Sequence, residues 1–292
     1  MKKLFSALLT ALALAAVAPS AHAQEKKDAK PAPEIRLYHL DCGNITVTDL
    51  NVFSDTDAYI GKSKDLVASC YLIKHGEDWL LWDTGLPAST PRLADVTTRP
   101  FILSLQETIP EQLKKLDLKP EDIDYIGISH GHFDHTGQAN AFPNARLIIQ
   151  QAEYDFMTGQ TETAMNYHMP AEAIANYVGE AAKEKRMLLS GDTNIYGDGT
   201  PKPISLPGHT PGRMALLVVL PKTGPVVLSG DQWHFEENRK WNGVPSFNYN
   251  RADTLASSDK LNKLIKNRHA RIIIQHDPLD NAKLPALPEY LN

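Results

Sequence analysis

The sequence is poor in cysteine and has no excess of positive charge. Only two cysteines, Cys42 and Cys70, occur among 292 residues, and neither lies in a metal-ligand motif. Lysine and arginine number 30 against 35 aspartate and glutamate residues, which gives a formal net charge of −5. A nucleic-acid-binding protein would present a basic face. No nucleic-acid partner is therefore expected.

Long hydrophobic runs are scarce, and the most prominent one lies at the amino terminus. Lys2 and Lys3 precede an apolar stretch over residues 4–18, and Ala21–Ala23 has the small-x-small form of a signal cleavage site. The stretch is shorter than the roughly 20 residues of a membrane helix, so a retained anchor is the weaker alternative. We predict a signal peptide over residues 1–23, no stable membrane span after its cleavage, and a periplasmic or secreted protein.

The rest of the chain is predicted to consist of one linker and one domain. Residues 24–33 mix proline and alanine with charged side chains, which is typical of a flexible linker. Candidate site residues are scattered from His130 to His276, which favours a single domain over residues 34–292. Segment 155–200 has no sustained strand pattern. A helical insertion forming one wall of a pocket and a plain surface excursion explain it equally well.

The two cysteines leave two alternatives open. Export to an oxidising compartment would permit a disulfide between Cys42 and Cys70. Each cysteine also lies beside strand-like sequence, and the sequence cannot supply the distance between them. Two separate buried thiols are therefore the default expectation.

Residues 130–135, His-Gly-His-Phe-Asp-His, concentrate three imidazoles and one carboxylate in six positions. They follow the apolar run Tyr125–Ser129, which is short enough to be a buried strand. In an extended segment alternate side chains point the same way, so the first two histidines can reach one ion while the aspartate and last histidine face a second position. These ligand types suit zinc and its first-row neighbours. A solvated histidine-rich loop is the alternative, and partners elsewhere in the chain must decide.

Three further candidate ligands each follow an apolar run. His209 stands in a Gly-His-Thr-Pro-Gly turn, Asp231 follows residues 226–229, and His276 follows residues 271–275. Taken singly, a turn residue, a helix cap and a surface histidine would explain them. Together with residues 130–135 they place four ligand groups at strand ends, as a preorganised site requires. The pattern predicts a two-metal centre.

These motifs resemble the metallo-beta-lactamase superfamily of hydrolases, and the similarity runs from about Ile35 to His276. Within the superfamily the pattern is most similar to the quorum-quenching N-acyl homoserine lactone lactonases. The motifs that carry the resemblance are Trp82-Asp83-Thr84-Gly85, His-Gly-His-Phe-Asp-His, Gly-His-Thr-Pro-Gly and the late His276-Asp277.

The resemblance implies an α+β fold, a four-layer αββα sandwich with helices outside, two sheets inside and the metals at one edge between the sheets. The residue patterns agree, because strands and helices are mixed without strict alternation. Strand patterns occur over residues 67–73, 79–82, 146–150, 214–220 and 226–229, and helical patterns over 110–116 and 253–266.

The resemblance also implies the site. The expected cofactors are two divalent metal ions, with zinc ranked first, and Asp231 would bridge them. Asp83 is expected to orient a ligand histidine, although a turn-forming aspartate explains it equally well. The implied ligands are His130, His132 and His209 for one ion and Asp134, His135 and His276 for the other.

His234 departs from the family pattern. A tyrosine commonly stands three residues after the bridging aspartate, where its hydroxyl helps to hold the substrate carbonyl. An imidazole can donate a similar hydrogen bond when its facing nitrogen carries the proton. His234 is therefore a candidate catalytic residue, and a ring that points away is the alternative.

The implied activity is the opening of a lactone ring by a hydroxide that bridges the ions, with a proton passed to the leaving alkoxide through Asp134. The expected partner is a small-molecule lactone, and a homodimer stays open. Alternatives are an organophosphate hydrolase, another ester or lactam hydrolase on the same scaffold, or a non-catalytic metal-binding protein. Aromatic candidates for an acyl pocket, which the core would accommodate equally well, are Phe53, Tyr59, Trp233, Phe235 and Phe247.

Overall fold

The computed structural model describes residues 32–94, 99–159 and 171–292. Residues Pro33–Asn292 form one compact unit. The predicted signal peptide over residues 1–23 and most of the predicted linker over residues 24–33 lie outside the described part of the chain. Among the helices that the structure describes, none combines the length and the apolar character needed to cross a membrane.

Seven strands of the described residues form the larger sheet: β1 (Ile35–Val47), β2 (Lys64–His75), β3 (Asp78–Trp82), β4 (Phe101–Ser104), β5 (Tyr125–Gly127), β6 (Arg146–Gln150) and β7 (Arg186–Leu189). Their order is β4-β1-β2-β3-β5-β6-β7. The first part is antiparallel, whereas β3, β5, β6 and β7 run parallel. The parallel strands are short and apolar because both faces of this part of the sheet are covered.

The smaller sheet is formed by β8 (Lys202–Ser205), β9 (Met214–Leu220), β10 (Gly224–Leu228) and β11 (Arg271–Ile273). Its order is β11-β10-β9-β8, with β10 and β11 parallel and the other pairs antiparallel. Strands β8, β10 and β11 therefore point in one direction, and their carboxyl ends share one edge.

The α-helices of the described residues are α1 (Ile109–Leu113), α2 (Phe133–Thr136), α3 (Gln151–Thr158), α4 (Glu236–Lys240), α5 (Arg251–Arg268) and α6 (Pro278–Asn281). Helix α1 begins with a capping box in which Thr108 and Glu111 satisfy each other's backbone amides. Helix α5 begins at the cap Asn250, whose side chain accepts from the Asp253 amide, and ends at His269 in the left-handed conformation.

Three apolar clusters place these elements in layers. The central cluster joins the facing sides of the two sheets, with Trp82 and Ile148 from the larger sheet and Leu216 and Leu228 from the smaller one. A second cluster covers the outer face of the larger sheet and includes Leu113 of α1. The third covers the outer face of the smaller sheet and includes Leu261 of α5. The predicted αββα sandwich is therefore confirmed.

The strand patterns over residues 67–73 and 79–82 correspond to β2 and β3, which form a hairpin that turns at Gly76 with φ of +61°. Three strands, β1, β4 and β7, were not predicted. Strand β1 carries Asp41, Gly43 and Asn44, residues that disfavour strands, and they lie where its pairing with β2 is interrupted. The expectation that segment 155–200 has no strand is wrong, because β7 pairs there with β6.

Cys42 and Cys70 form a disulfide, so the expectation of two separate thiols is wrong. The register of β1 and β2 pairs Leu40 with Cys70, and the irregularity after Asp41 brings Cys42 to a Cα–Cα distance of 5.8 Å from Cys70. Such a local interruption of strand pairing depends on tertiary contacts and has no clear signal in the sequence.

Candidate metal centre

The candidate ligands lie on loops that leave the carboxyl ends of strands. His130 follows β5, His209 follows β8, Asp231 follows β10 and His276 follows β11, each within four residues of the strand end. Asp83 directly follows β3, the parallel neighbour of β5. Because these strand ends meet at one edge of the sandwich, their loops converge on one site.

His130, His132 and His209, called here the three-histidine cluster, are all buried. His132 Nδ1 lies 2.9 Å from His130 Nε2 and 3.1 Å from His209 Nε2. Oδ2 of Asp231 lies 3.5 Å from the same Nε2 atom of each of these two partners. Three ring nitrogens and one carboxylate oxygen thus point at one small volume.

Asp134, His135 and His276, called here the Asp134 cluster, lie beside the first group. Nε2 of His135 and Nε2 of His276 are 3.2 Å apart. Asp134 approaches these atoms to 3.9 Å with Oδ1 and 3.6 Å with Oδ2. The other oxygen of Asp231, Oδ1, lies 3.2 and 3.0 Å from the two imidazole nitrogens. Asp231 therefore faces one cluster with each of its oxygens.

The donor set fits metal ions. Oδ1 of Asp231 is buried and has no hydrogen-bond partner, although two ring nitrogens lie beside it. A tetrahedral ion with ligand bonds of about 2.1 Å places its ligand atoms about 3.4 Å apart, close to the observed spacings. His130, His132, His209 and Asp231 form one group able to hold a metal ion, and Asp134, His135 and His276 form the other.

Hydrogen bonds fix the tautomers of the rings in the Asp134 cluster. His276 Nδ1 lies 2.7 Å from the carbonyl oxygen of Val67, and His135 Nδ1 lies 2.9 Å from Oδ2 of Asp83. A carbonyl and a carboxylate only accept, so both rings donate from Nδ1 and direct the Nε2 lone pair into the cluster. Asp83 is itself fixed, since Oδ1 accepts from the Ser129 amide at 2.6 Å.

The three-histidine cluster favours neutral rings. Burial, helped by the nearby His135, lowers the pKa of His130 well below its ordinary value. Burial likewise lowers the pKa of His132 well below its ordinary value and that of His209 to about 4. These rings are uncharged at neutral pH, the form that binds a metal ion.

The Asp134 cluster favours positive charge. Burial disfavours protonated His135, but the carboxylates of Asp231, Asp83 and Asp134 outweigh it and raise its pKa well above its ordinary value. Burial also opposes ionisation of Asp231, yet the surrounding histidines, His276 foremost, hold its pKa well below its ordinary value. A cation at this position is therefore stabilised by its surroundings.

His234 faces the site. Its Nε2 lies 3.1 Å from Oδ2 of Asp231, and its ring lies parallel to that of His276 with a centroid distance of 5.7 Å. The Phe53 ring also packs against it, with a centroid distance of 4.4 Å, and Nδ1 is buried without a hydrogen-bond partner. The alternative that His234 points away is wrong.

Ser129 lies in the stretch Gly127-Ile128-Ser129-His130-Gly131, which has the Gly-x-Ser-x-Gly spacing of a nucleophile elbow. The sequence interpretation overlooked this match. In the structure Ser129 is fully buried, and its hydroxyl lies 3.1 Å from His130 Nδ1 and 3.2 Å from His135 Nδ1. A hydroxyl enclosed in this way supports ligand imidazoles and does not reach a substrate.

A cavity of about 350 Å³ opens onto both clusters. Its polar end consists of His132, Asp134, Asp231, His234 and His276. The rest of its wall is largely apolar and includes Ile45, Val52, Phe53, Leu66, Pro100, Phe101, Phe133 and Phe247. The cavity therefore suits a ligand with a polar head and an apolar tail.

Of the five aromatic candidates for this wall, Phe53 and Phe247 line the cavity. Tyr59 and Phe235 pack in the outer core of the larger sheet, and Trp233 packs in that of the smaller sheet. None of the described residues of segment 155–200 lines the cavity, whereas residues 160–170 of that segment lie outside the described part of the chain.

Known proteins share this sequence pattern and fold. The model of the metallo-beta-lactamase superfamily matches residues 64–276. The N-acyl homoserine lactonase AttM of Azorhizobium caulinodans is 29% identical over 263 residues, which cover 84% of this chain and 94% of that protein. An N-acyl homoserine lactonase of a Bacillus species is also 29% identical, with 88% and 98% covered.

A solved structure of an N-acyl homoserine lactone hydrolase, with the product N-hexanoyl-L-homoserine bound at its catalytic metal centre, superimposes with a TM-score of 0.75. It is 25% identical and covers 89% of this chain and all of that chain. The resemblance to N-acyl homoserine lactone lactonases expected from the motifs is confirmed by these relatives. With about three quarters of its length matched by the family model, the chain belongs to the metallo-beta-lactamase superfamily.

Proposed function

We propose that the protein is a dinuclear metal-dependent hydrolase that opens the lactone ring of N-acyl homoserine lactones. The observation that carries the proposal is the cavity, whose apolar wall ends at the two ligand clusters. An acylated lactone has the matching form, with a polar ring at one end and a hydrocarbon chain at the other. The names of the relatives at 29% identity support the same substrate class.

The ligand sets support two ions, one in each cluster, with Asp231 shared between them. When bound, two divalent ions, with zinc ranked first, supply Lewis acidity for an ester carbonyl and a nucleophilic hydroxide near neutral pH. Hydrolysis adds the oxygen of a water molecule, deprotonated at the site, to the lactone carbonyl carbon and breaks the ring C–O bond. The leaving alkoxide then requires a proton.

Asp134 supplies that proton in our proposal. Its side chain is 12% exposed and lines the cavity, whereas its neighbour His135 is nearly fully enclosed. A carboxylate that contacts both the cluster and the cavity can take a proton from the attacking water and pass it to the alkoxide. Such proton transfer contributes about 10²- to 10⁴-fold to the rate of an enzyme.

His234 orients the reacting groups in the same proposal. With its proton on Nε2, the ring donates towards Oδ2 of Asp231 and towards a carbonyl oxygen beside it. The rings of Phe53 and His276 pack near this ring, with centroid distances of 4.4 and 5.7 Å. His234 then takes the part that a tyrosine hydroxyl plays in the family pattern.

We also propose that the protein works in an oxidising compartment, the periplasm or the extracellular space. The charged and apolar pattern of residues 1–23 and the disulfide between Cys42 and Cys70 support this location. Fractionation of cells that express the full chain tests it, and recovery of the activity in the cytoplasmic fraction would contradict it.

The direct test of the activity is acid release in a pH-stat with a series of N-acyl homoserine lactones, comparing metal-loaded protein with chelated protein. Rapid release that the chelator abolishes is the expected result. Faster turnover of a paraoxon-type phosphotriester or a cephalosporin than of every lactone would replace the proposed substrate. Metal-dependent stability without turnover of any of these compounds would indicate a metal-binding protein instead.

A further inference from the structure

We infer that Glu153 is a positioning residue for the three-histidine cluster, because its buried carboxylate accepts hydrogen bonds from both loops that carry the three imidazoles. The inference rests on the proposed metal centre and is independent of the substrate. The donors to Glu153 are two backbone amides and one hydroxyl of residues beside the candidate ligands, so it acts through the ligand loops and not through the imidazoles.

Glu153 stands in the first turn of α3, directly after strand β6, and is fully buried. Its Oε1 accepts from the amide of Gly131 at 2.7 Å. Its Oε2 accepts from the Thr210 hydroxyl at 2.8 Å and from the Gly212 amide at 2.7 Å. A single carboxylate thus satisfies three buried donors.

The three donors flank the ligands. Gly131 separates His130 from His132, and Thr210 follows His209 directly. The first loop leaves the larger sheet after β5, whereas the second leaves the smaller sheet after β8. Glu153 therefore links loops from different sheets, close to where Nε2 of His209 lies 3.1 Å from Nδ1 of His132.

The packing around Glu153 explains the last glycine of the Gly-His-Thr-Pro-Gly turn. A Cβ atom on Gly212 would lie 2.3 Å from the backbone nitrogen of Glu153 and 2.6 Å from its Cβ. Only glycine lets the loop approach closely enough for its amide to reach the carboxylate. The last glycine of the motif and the buried carboxylate of Glu153 therefore belong to the same contact.

The charge at this position is costly, which favours a functional reason for it. Burial raises the pKa of Glu153, against the opposing effects of Thr210, Gly131 and Gly212. The positive charge of the fully buried Arg213 also opposes this rise, although its guanidinium donates to the carbonyl oxygens of Leu206 and Ser229. The buried anion is tolerated because three donors from the ligand loops and a nearby cation compensate its burial.

Glu153→Gln is the matched substitution. An amide has one accepting oxygen, and its NH₂ group cannot accept from the Gly131 or the Gly212 amide. Either orientation of the glutamine leaves at least one buried N–H unpaired beside a ligand loop. Loss of such supporting contacts around metal ligands typically weakens metal affinity by about 10- to 100-fold.

The test titrates metal-free protein with Co²⁺ and follows the absorption of the bound ion, so that no turnover is needed. His209→Ala and His276→Ala identify the signals of the three-histidine cluster and the Asp134 cluster. In Glu153→Gln we expect about 10- to 100-fold weaker binding in the equivalent that His209→Ala abolishes, and unchanged binding in the other. Glu184→Gln, at an exposed position, should bind both equivalents normally.

Thr210→Val removes one of the three hydrogen bonds at nearly constant volume and should give a smaller loss in the same equivalent. It also supplies the measurement where Glu153→Gln does not fold. Equal weakening of both equivalents, or normal binding of both, would overturn the inference. If the unmodified protein binds both Co²⁺ equivalents but does not hydrolyse lactones, the proposed function is wrong and the inference on Glu153 is unaffected.

Discussion

The two ligand clusters share Asp231 but are held in different ways. In the Asp134 cluster the rings themselves are held, since His135 and His276 donate from Nδ1 to Asp83 and to a backbone carbonyl. In the three-histidine cluster Nδ1 of His209 is buried without a hydrogen-bond partner. Nδ1 of His130 lies 3.1 Å from the Ser129 hydroxyl, and the loops of this cluster are held in addition through two backbone amides and a hydroxyl that donate to Glu153.

The electrostatic difference follows from the same arrangement. Three carboxylates, Asp83, Asp134 and Asp231, surround His135 and raise its pKa. Burial dominates in the three-histidine cluster and lowers the pKa of its rings. One cluster attracts any cation, a proton included, whereas the other offers neutral lone pairs. We expect the two ions to respond differently to the same perturbation.

The largest effect is expected from Asp134→Asn. The substitution removes the proposed proton carrier and one ligand of its own cluster, while the three-histidine cluster keeps every contact. We predict that kcat for a lactone falls by about 10³-fold, with the ion in the three-histidine cluster retained. Steady-state kinetics and metal analysis of the purified variant measure both. A kcat within tenfold of the unmodified protein would rule out this role for Asp134.

The disulfide lies beside the segment that contacts the Asp134 cluster. Cys42 packs against Gly85, and the neighbouring Thr84 amide donates to the carbonyl oxygen of His135 at 2.7 Å. The crosslink spans 28 residues, so Cys42→Ser with Cys70→Ser should lower the free energy of unfolding by about 3 kcal/mol.

Denaturant unfolding of the metal-free double variant measures that loss, with the oxidised protein as the reference. Metal binding should weaken in the Asp134 cluster first. Preferential weakening of the three-histidine cluster would show that the disulfide acts elsewhere.

Asp83→Asn tests the direct support of a ring. The amide keeps the shape but removes the charge that fixes the His135 tautomer, and one of its two ends no longer accepts from the Ser129 amide or the His135 ring. We predict about 10- to 100-fold weaker metal binding in the Asp134 cluster, the mirror image of Glu153→Gln. Competition with a chromogenic chelator gives the affinity, and a loss confined to the three-histidine cluster would contradict the comparison.

The smallest effect concerns pH. Because the pKa of His135 is raised well above 6.5, a metal ion entering its cluster displaces a proton near neutral pH. The pKa of His276 in the same cluster is raised as well, so affinity there should fall by at least about tenfold for each unit that pH decreases. The affinity of the three-histidine cluster should change little between pH 8 and 7. Metal titrations at pH 8 and pH 7 measure the affinity of each cluster. Equal pH dependence at both clusters would remove the proposed electrostatic difference.

The sequence predicts which candidate side chains come together because each segment that carries them follows an apolar run. His130, His209, Asp231 and His276 follow short buried strands, and strand ends are where loops carry functional side chains. The αββα layers follow from the resemblance that these motifs carry. A short strand and the loop that follows it can be located from the local sequence, so these side chains are found without knowledge of the tertiary contacts.

The contact of Asp83 with His135 was predicted, whereas the other supporting contacts were not, for a physical reason. The carbonyl of Val67 and the carboxylate of Glu153 are brought to the site by tertiary packing, and neither residue type is unusual in its own segment. The disulfide depends on an interrupted pairing of β1 and β2. The Gly-x-Ser-x-Gly stretch around Ser129 is the opposite case. It matches the sequence motif of a catalytic serine, but the burial of Ser129 excludes attack on a substrate.

The most direct test of the account measures lactone hydrolysis as metal is returned to the metal-free protein. We predict little acid release with one equivalent of Zn²⁺ and full, chelator-sensitive release with two, because each cluster must hold its ion. Full activity with one equivalent, or activity that survives complete chelation, would contradict a dinuclear lactonase.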